Sequence, residues 1–218
     1  MNTRPFLPAL AVALALHAAS AHADTPRGWY ATAIGGLTSQ SSQDFGLTGT
    51  PESSARAGFD QGFLSGAAVG YQFDGPWQLE AEFTYQTVDV DRLQPEAFGP
   101  FDEGNYASTG LAANVRYSAN LFGSPRARAF LGAGLVYLTE VDIDFEQSGV
   151  ERSFSGDGFG VQLLAGARYD VGERIFLETA IRYMRATSLE LRGEGGETAQ
   201  LEGDYAPLSV TLAVGWRF

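Results

Sequence analysis

Residues 208–218, LSVTLAVGWRF, alternate without a slip. Leu208, Val210, Leu212, Val214, Trp216 and Phe218 share one face, and Ser209, Thr211, Ala213, Gly215 and Arg217 share the other, because successive side chains of a strand point to opposite sides. A chain end is ordinarily polar and frayed, so a terminal strand apolar along one whole face requires a cover. The same period of two recurs at 63–73, 77–88, 108–117, 128–145, 159–171 and 175–184. In 77–88, Trp77, Leu79, Ala81, Phe83 and Tyr85 oppose Gln78, Glu80, Glu82, Thr84 and Gln86. In 128–145 the pattern reads as one continuous apolar face (Leu131, Ala133, Leu135, Tyr137, Val141, Ile143, Phe145), with Glu140, Asp142 and Asp144 on the inward face. Glu190 reads as inward near the top of the seventh strand. With 29–37, whose facing is ambiguous, eight strands are expected.

Period-two alternation also fits a soluble sandwich. Three features decide against that. The second face mixes Glu, Arg, Gln and Asn with many Gly. The connections alternate in length: long at about 39–60, 91–104, 146–156 and 192–204, shorter at 74–76, 120–125 and 172–174. Aromatics stand at both ends of the apolar faces: Tyr71, Phe73, Trp77, Tyr117, Tyr169, Trp216 and Phe218 beside the short turns, and Phe63, Tyr85, Phe145, Phe159 and Tyr183 at the other end. Apolar-out strands, short turns on one side, long loops on the other and two aromatic girdles describe a transmembrane β-barrel. Lipid requires closure, since an unpaired strand edge finds no water there. The expected fold is therefore all-β, an eight-stranded antiparallel up-and-down transmembrane barrel over residues 24–218. Lipid covers the last strand's apolar face, and the first strand pairs with its edge.

The leader changes what chemistry is available. Arg4, the apolar run 7–19 and Ala21-His22-Ala23 read as a signal peptide, residues 1–23, cleaved on export. Both histidines, His17 and His22, lie in it, and the chain has no Cys. All 14 basic residues are Arg. Without the leader, 26 acids face 13 Arg, a formal charge of −13. Nucleic acid is an unsuitable partner for such a chain. Lacking His, Cys and Lys, the mature chain has neither the common general bases nor the usual activated nucleophiles, nor the ligands of zinc sites. No cofactor is expected. Carboxylate chemistry remains: Glu80 and Glu82 share a face about 7 Å apart by strand rise. A catalytic acid pair is the weaker reading, and interior charges neutralised by Arg the stronger.

LGAGLVY, LLAGARYDVGERIFLETAIRYM and the terminal VTLAVGWRF resemble the eight-stranded outer-membrane barrels of Gram-negative bacteria, the group of the OmpA transmembrane domain, OmpX, OmpW and the opacity-type porin-like proteins. The resemblance implies a monomer in the outer membrane, surrounded by lipid and lipopolysaccharide. It also implies that Phe218, Trp216, Val214 and Leu212 form the signal read by the barrel-assembly machinery. Enzymes of this architecture resemble one another in using a His, so none is expected here.

An eight-stranded barrel has room inside only for side chains. The inward set contains Glu80, Glu82, Arg116, Arg128, Arg168, Glu178, Arg182 and Arg217. Their depths along neighbouring strands pair Glu80 with Arg116 and Arg168 with Glu178. The expected function is a structural or adhesive surface role exercised through four long extracellular loops. A narrow porin-like channel is the alternative. Glu140, Asp142 and Asp144 form an acidic mouth, a weak candidate for a divalent cation held by hard oxygen ligands; solvated acids are the blander reading.

Overall fold

The computed structural model describes residues 27–49, 54–94, 101–147, 150–194 and 199–218. The leader expected at residues 1–23 lies outside them. Eleven strands occur among the described residues: β1 (Gly28–Ser39), β2 (Gln43–Thr48), β3 (Ser54–Phe59), β4 (Gln61–Gln72), β5 (Trp77–Gln94), β6 (Phe101–Asn120), β7 (Ala127–Gln147), β8 (Val150–Asp170), β9 (Ile175–Gly193), β10 (Gln200–Tyr205) and β11 (Leu208–Arg217). Every pairing is antiparallel. β1 pairs with β4, and the ladder runs on through β5, β6, β7, β8 and β9 to β11, which pairs back onto β1 from Tyr30↔Arg217 to Ser39↔Leu208. The ring closes, so the terminal strand has a partner on each side.

Eleven strands make eight staves. Above this ring β2 continues β1, β3 continues β4 and β10 continues β11; β3 pairs with β5 and β2, and β10 with β2 and β9. The three breaks have local causes. At Ala206-Pro207 the ring nitrogen of Pro207 has no proton to donate, although its carbonyl accepts from Met184 N–H at 3.1 Å. Asp60 interrupts β3 and β4 while its N–H still bonds Asp89 at 2.9 Å. Residues 40–42 separate β1 from β2.

Staves of up to 21 residues tilted about 40° stand about 55 Å tall, twice the roughly 25 Å apolar band of such barrels. The expectation of four long outer loops is corrected accordingly. Most of residues 39–60, 91–104, 146–156 and 192–204 is strand, and the wall continues beyond the lipid as a β-built extension. These segments alternate too, with their apolar side chains turned inward.

The inversion follows from the two solvents. In the lower half Trp29, Leu79, Leu135, Leu163 and Leu212 point outward, while Gln78, Glu80, Asn114, Arg116 and Arg168 are buried inside. In the upper half water is outside and the apolar side chains turn in: Phe45, Ala57, Val88, Tyr106, Ile143, Phe154, Leu191 and Leu201 pack into one core. Four staves change phase between the halves. The first does so across residues 40–42, the second at Asp60, β7 at Thr139–Glu140 and β9 at Thr187–Ser188, as their burial patterns show. Each change needs an inserted residue, a β-bulge, and register shifts mark the two in β7 and β9. Ser188 sits in the left-handed region at φ 55°.

Two facings read from sequence are thereby corrected. Glu140, Asp142 and Asp144 lie on the outer wall, whereas Val141, Ile143 and Phe145 are buried. Phe145 belongs to the extension's core, stacked with Phe154 at 5.7 Å between ring centroids, and not to the upper girdle. Glu190 is exposed, and Leu189 and Leu191 take the interior.

Candidate functional site

The lumen is the first place to look for function. Glu80, on β5, accepts from Arg116 Nη1 at 2.9 Å and from the Tyr30 hydroxyl at 3.0 Å. The other Arg116 nitrogen, Nη2, lies 2.7 Å from Glu178 Oε1, and Glu178 Oε2 accepts from Arg168 Nε at 3.0 Å. Arg116 thus bridges the two pairs expected from strand depth. Glu82 is paired with Arg182 and accepts from Gln162 Nε2 at 3.4 Å. Nearer the short turns, Asp170 holds Arg128 at 2.8 Å and is also paired with Arg217. Four acids therefore meet all five Arg of the expected lumen set.

Aromatic rings complete this plug. The Arg116 guanidinium lies 3.8 Å from the Phe130 ring centroid, and that of Arg168 lies 4.0 Å from Phe176, distances at which a cation is drawn to the ring face. Small residues make the rings fit. A Cβ at Gly70 would come within 2.3 Å of the Tyr30 ring, and one at Gly166 within 2.5 Å of Phe130. A cavity between Glu80, Arg116, Glu178, Arg182 and Thr211 measures about 10 Å³, at the lower limit for holding one water. Asp170, Tyr30, Phe176 and Gln162 were not singled out from sequence. Asp170 and Gln162 were legible from their inward facing. The facing of Tyr30 was ambiguous, and Phe176 carries no polar signal.

The Glu80–Glu82 pair is thus committed to Arg116 and Arg182, with Tyr30 and Gln162 taking further lone pairs.

Above the plug, the extension's buried apolar residues form one contiguous core inside the barrel. A few polar groups cross it: Ser108 Oγ donates to Tyr205 Oη at 2.9 Å. Outside, the extension is acidic. A recess of about 720 Å³ lies over β7, β8 and β9, lined by Thr139, Glu140, Ser155, Gly156, Asp157, Ser188, Glu190 and Arg192. Its position coincides with an interruption in the β8–β9 ladder, between Ser155↔Arg192 and Gly160↔Ala186. Asp142, beside it, has its pKa pushed up to about 6, first by burial and then by Asp144, Glu194 and Glu140. Glu140, Asp142 and Asp144 share the outward face at strand spacing, and among the described residues no group of three acids is arranged to hold a metal ion.

Residues 9–218 match a known family, the outer membrane protein beta-barrel domain. The chain belongs to that family. Its place is the outer membrane of a Gram-negative bacterium, and its transmembrane elements are β-strands. A protein of Gluconacetobacter diazotrophicus described as an outer membrane protein is 29% identical to this barrel over 140 residues, which are 61% of the chain and 37% of that protein; the chain spans little more than a third of that relative's length. Among solved structures the barrel is similar to the outer membrane protein OprG of Pseudomonas aeruginosa, with TM-score 0.63, 17% identity and coverage of 88% of this chain and 96% of that one. It is similar also to Neisserial surface protein A, with TM-score 0.52, 17% identity and coverage of 88% and 97%. At such identities these structures speak to the architecture of the barrel and to nothing finer.

Proposed function

We propose that the protein is a non-conducting structural barrel that holds a rigid, acidic β-wall above the outer membrane as a surface for contact with its surroundings. The observation that carries this reading is the double closure of the lumen. An ion crossing the barrel would meet the Glu80–Arg116–Glu178–Arg168 chain, with a void of about 10 Å³, and then the apolar core of the extension. A bare ion is not transferred through either without displacing buried charge or entering an apolar interior. The lumen's chemistry is spent on internal pairing, so the outward side chains are the ones left to meet a partner. The narrow channel is the rival.

The test is conductance in planar bilayers. The intact barrel should give no steps above the lipid baseline. A variant carrying Glu80→Ala, Arg116→Ala and Glu178→Ala, still capped by the extension's core, should give none either. Regular steps from the wild-type protein would overturn the reading in favour of a channel. Adhesion is tested separately, by binding of the reconstituted barrel to surfaces of opposite charge with and without Glu140→Gln, Asp142→Asn and Asp144→Asn.

A further inference from the structure

The lower ends of the staves carry a ring of lipid-facing aromatics: Trp29, Tyr71, Trp77, Tyr117, Tyr169 and Trp216. Two staves end differently, β9 on Leu177 and Ile175 and β7 on Leu131, Ala129 and Ala127. For β7 an aromatic is found one step further on, in the turn back to β6. There Phe122 is 99% exposed and lies in the left-handed region at φ 51°, followed by Gly123 at φ 71°. Ser124 N–H closes the turn on Leu121 C=O at 2.9 Å. Two successive positive φ angles across such a bond make a type I′ turn, whose first central position favours Asn, Asp or Gly. A bulky residue with positive φ is an outlier there. Phe122 is thus unfavourable twice over, in backbone conformation and in exposed apolar area. That combination points to a contact that offsets both costs.

The surroundings say what kind of contact. Tyr117 pairs with Leu131 and Ala119 with Ala129, and Leu121 N–H bonds Ala127 C=O at 2.8 Å. The outward face therefore stays apolar from the girdle down to the turn, continuous with the lipid-covered wall. Charge agrees. Residues 118–127, SANLFGSPRA, contain Arg126 and no acid in a chain that is otherwise strongly acidic. An apolar tip with a lone cation fits an anionic lipid surface.

We propose that the β6–β7 turn is a second membrane contact, in which Phe122 enters the headgroup layer of the periplasmic leaflet and Arg126 faces its phosphates. Phe122 takes the role that a girdle aromatic plays on six other staves, one turn further from the bilayer centre. The anchor would fix the rotation and tilt of the barrel on this side.

The chain contains no cysteine, so Ser124→Cys gives a single labelling site that leaves Phe122 and Arg126 in place. The labelled barrel, carrying a bimane, is reconstituted in phosphatidylglycerol or phosphatidylcholine vesicles doped with headgroup-nitroxide lipid. Quenching in phosphatidylglycerol should exceed that of the same protein with Phe122→Asn by about twofold or more. It should also fall in phosphatidylcholine and with Arg126→Gln. Asn suits the type I′ turn, so heat-modifiable migration on gels should show that barrel intact. A probe quenched by aqueous iodide but not by the lipid nitroxide overturns the proposal, and would leave a periplasmic protein as the occupant. So does quenching that is indifferent to Phe122→Asn or to lipid charge.

Discussion

Glu80 is almost fully buried and touches Arg116, Tyr30 and Asn114, so its charge cannot be relieved by water. Glu80→Gln leaves Arg116 buried with Glu178 alone, and breaking one partner of a buried pair costs on the order of 3 kcal/mol. Adding Arg116→Gln should recover part of that loss, because residues in one network are not additive. Urea unfolding from lipid vesicles measures the cycle; strictly additive losses would show that the two side chains act independently. Asp142 gives a prediction of opposite sign, outside the membrane. Burial and three neighbouring acids raise its folded pKa to about 6, above the value near 4 of an unfolded Asp. A group raised in the fold binds its proton more tightly there, so it disfavours folding as pH rises through that window. The extension should therefore resist protease better at pH 5 than at pH 7.5, with most of the change between pH 4 and 6. Asp142→Asn should flatten this component of the pH response.

The phase changes were the least legible elements, and β7 shows why. In the sequence Leu131 to Phe145 is an unbroken odd-numbered apolar series, interrupted only by Thr139. A single inserted residue at Thr139–Glu140 turns its upper half inward, and a bulge leaves no mark when the apolar series reads the same on both sides of it. The lower half was legible because Gln, Glu and Arg alternate with apolar residues there, and pairs such as Glu80–Arg116 follow from depth alone. The bulge in β9 rests on Ser188, whose N–H donates to Asp204 Oδ1 at 3.3 Å while Asp204 pairs with Arg185 at 3.2 Å. Ser188→Gly removes the Cβ penalty and should be neutral or stabilising by about 0.5–1 kcal/mol. Ser188→Val forces a β-branched residue into positive φ and should cost about 1–3 kcal/mol; equal stabilities for the two variants in urea would refute the bulge. At the other end of the chain, Phe218 N–H bonds Trp29 C=O at 3.1 Å and its side chain is largely exposed. Replacing Phe218 with Asp should therefore reduce insertion more than the stability of barrels once formed. Unchanged yields of heat-modifiable barrel would argue against the terminal signal.

Taken whole, the molecule joins two kinds of protein end to end: a barrel that is polar inside and apolar outside, and above it one that is apolar inside and charged outside. Each half has its own interior, so damage should be separable. Ile143→Ala or Leu138→Ala, in the extension's core, should cost about 2–5 kcal/mol and open the upper wall to limited proteolysis while a protected membrane fragment survives; loss of both halves together would show one cooperative unit. The phase inversion also governs how the protein can be recognised by an immune system. The peptide from Glu140 to Glu146 displays Val141, Ile143 and Phe145 as prominently as its acids, yet the folded wall hides all three. A surface patch here is assembled from every second residue of neighbouring strands, such as Asp142 beside Ser155 and Ala107. Antibodies raised against linear segments of the extension should bind denatured protein and ignore intact cells, whereas those raised against the refolded barrel should lose their epitope on boiling.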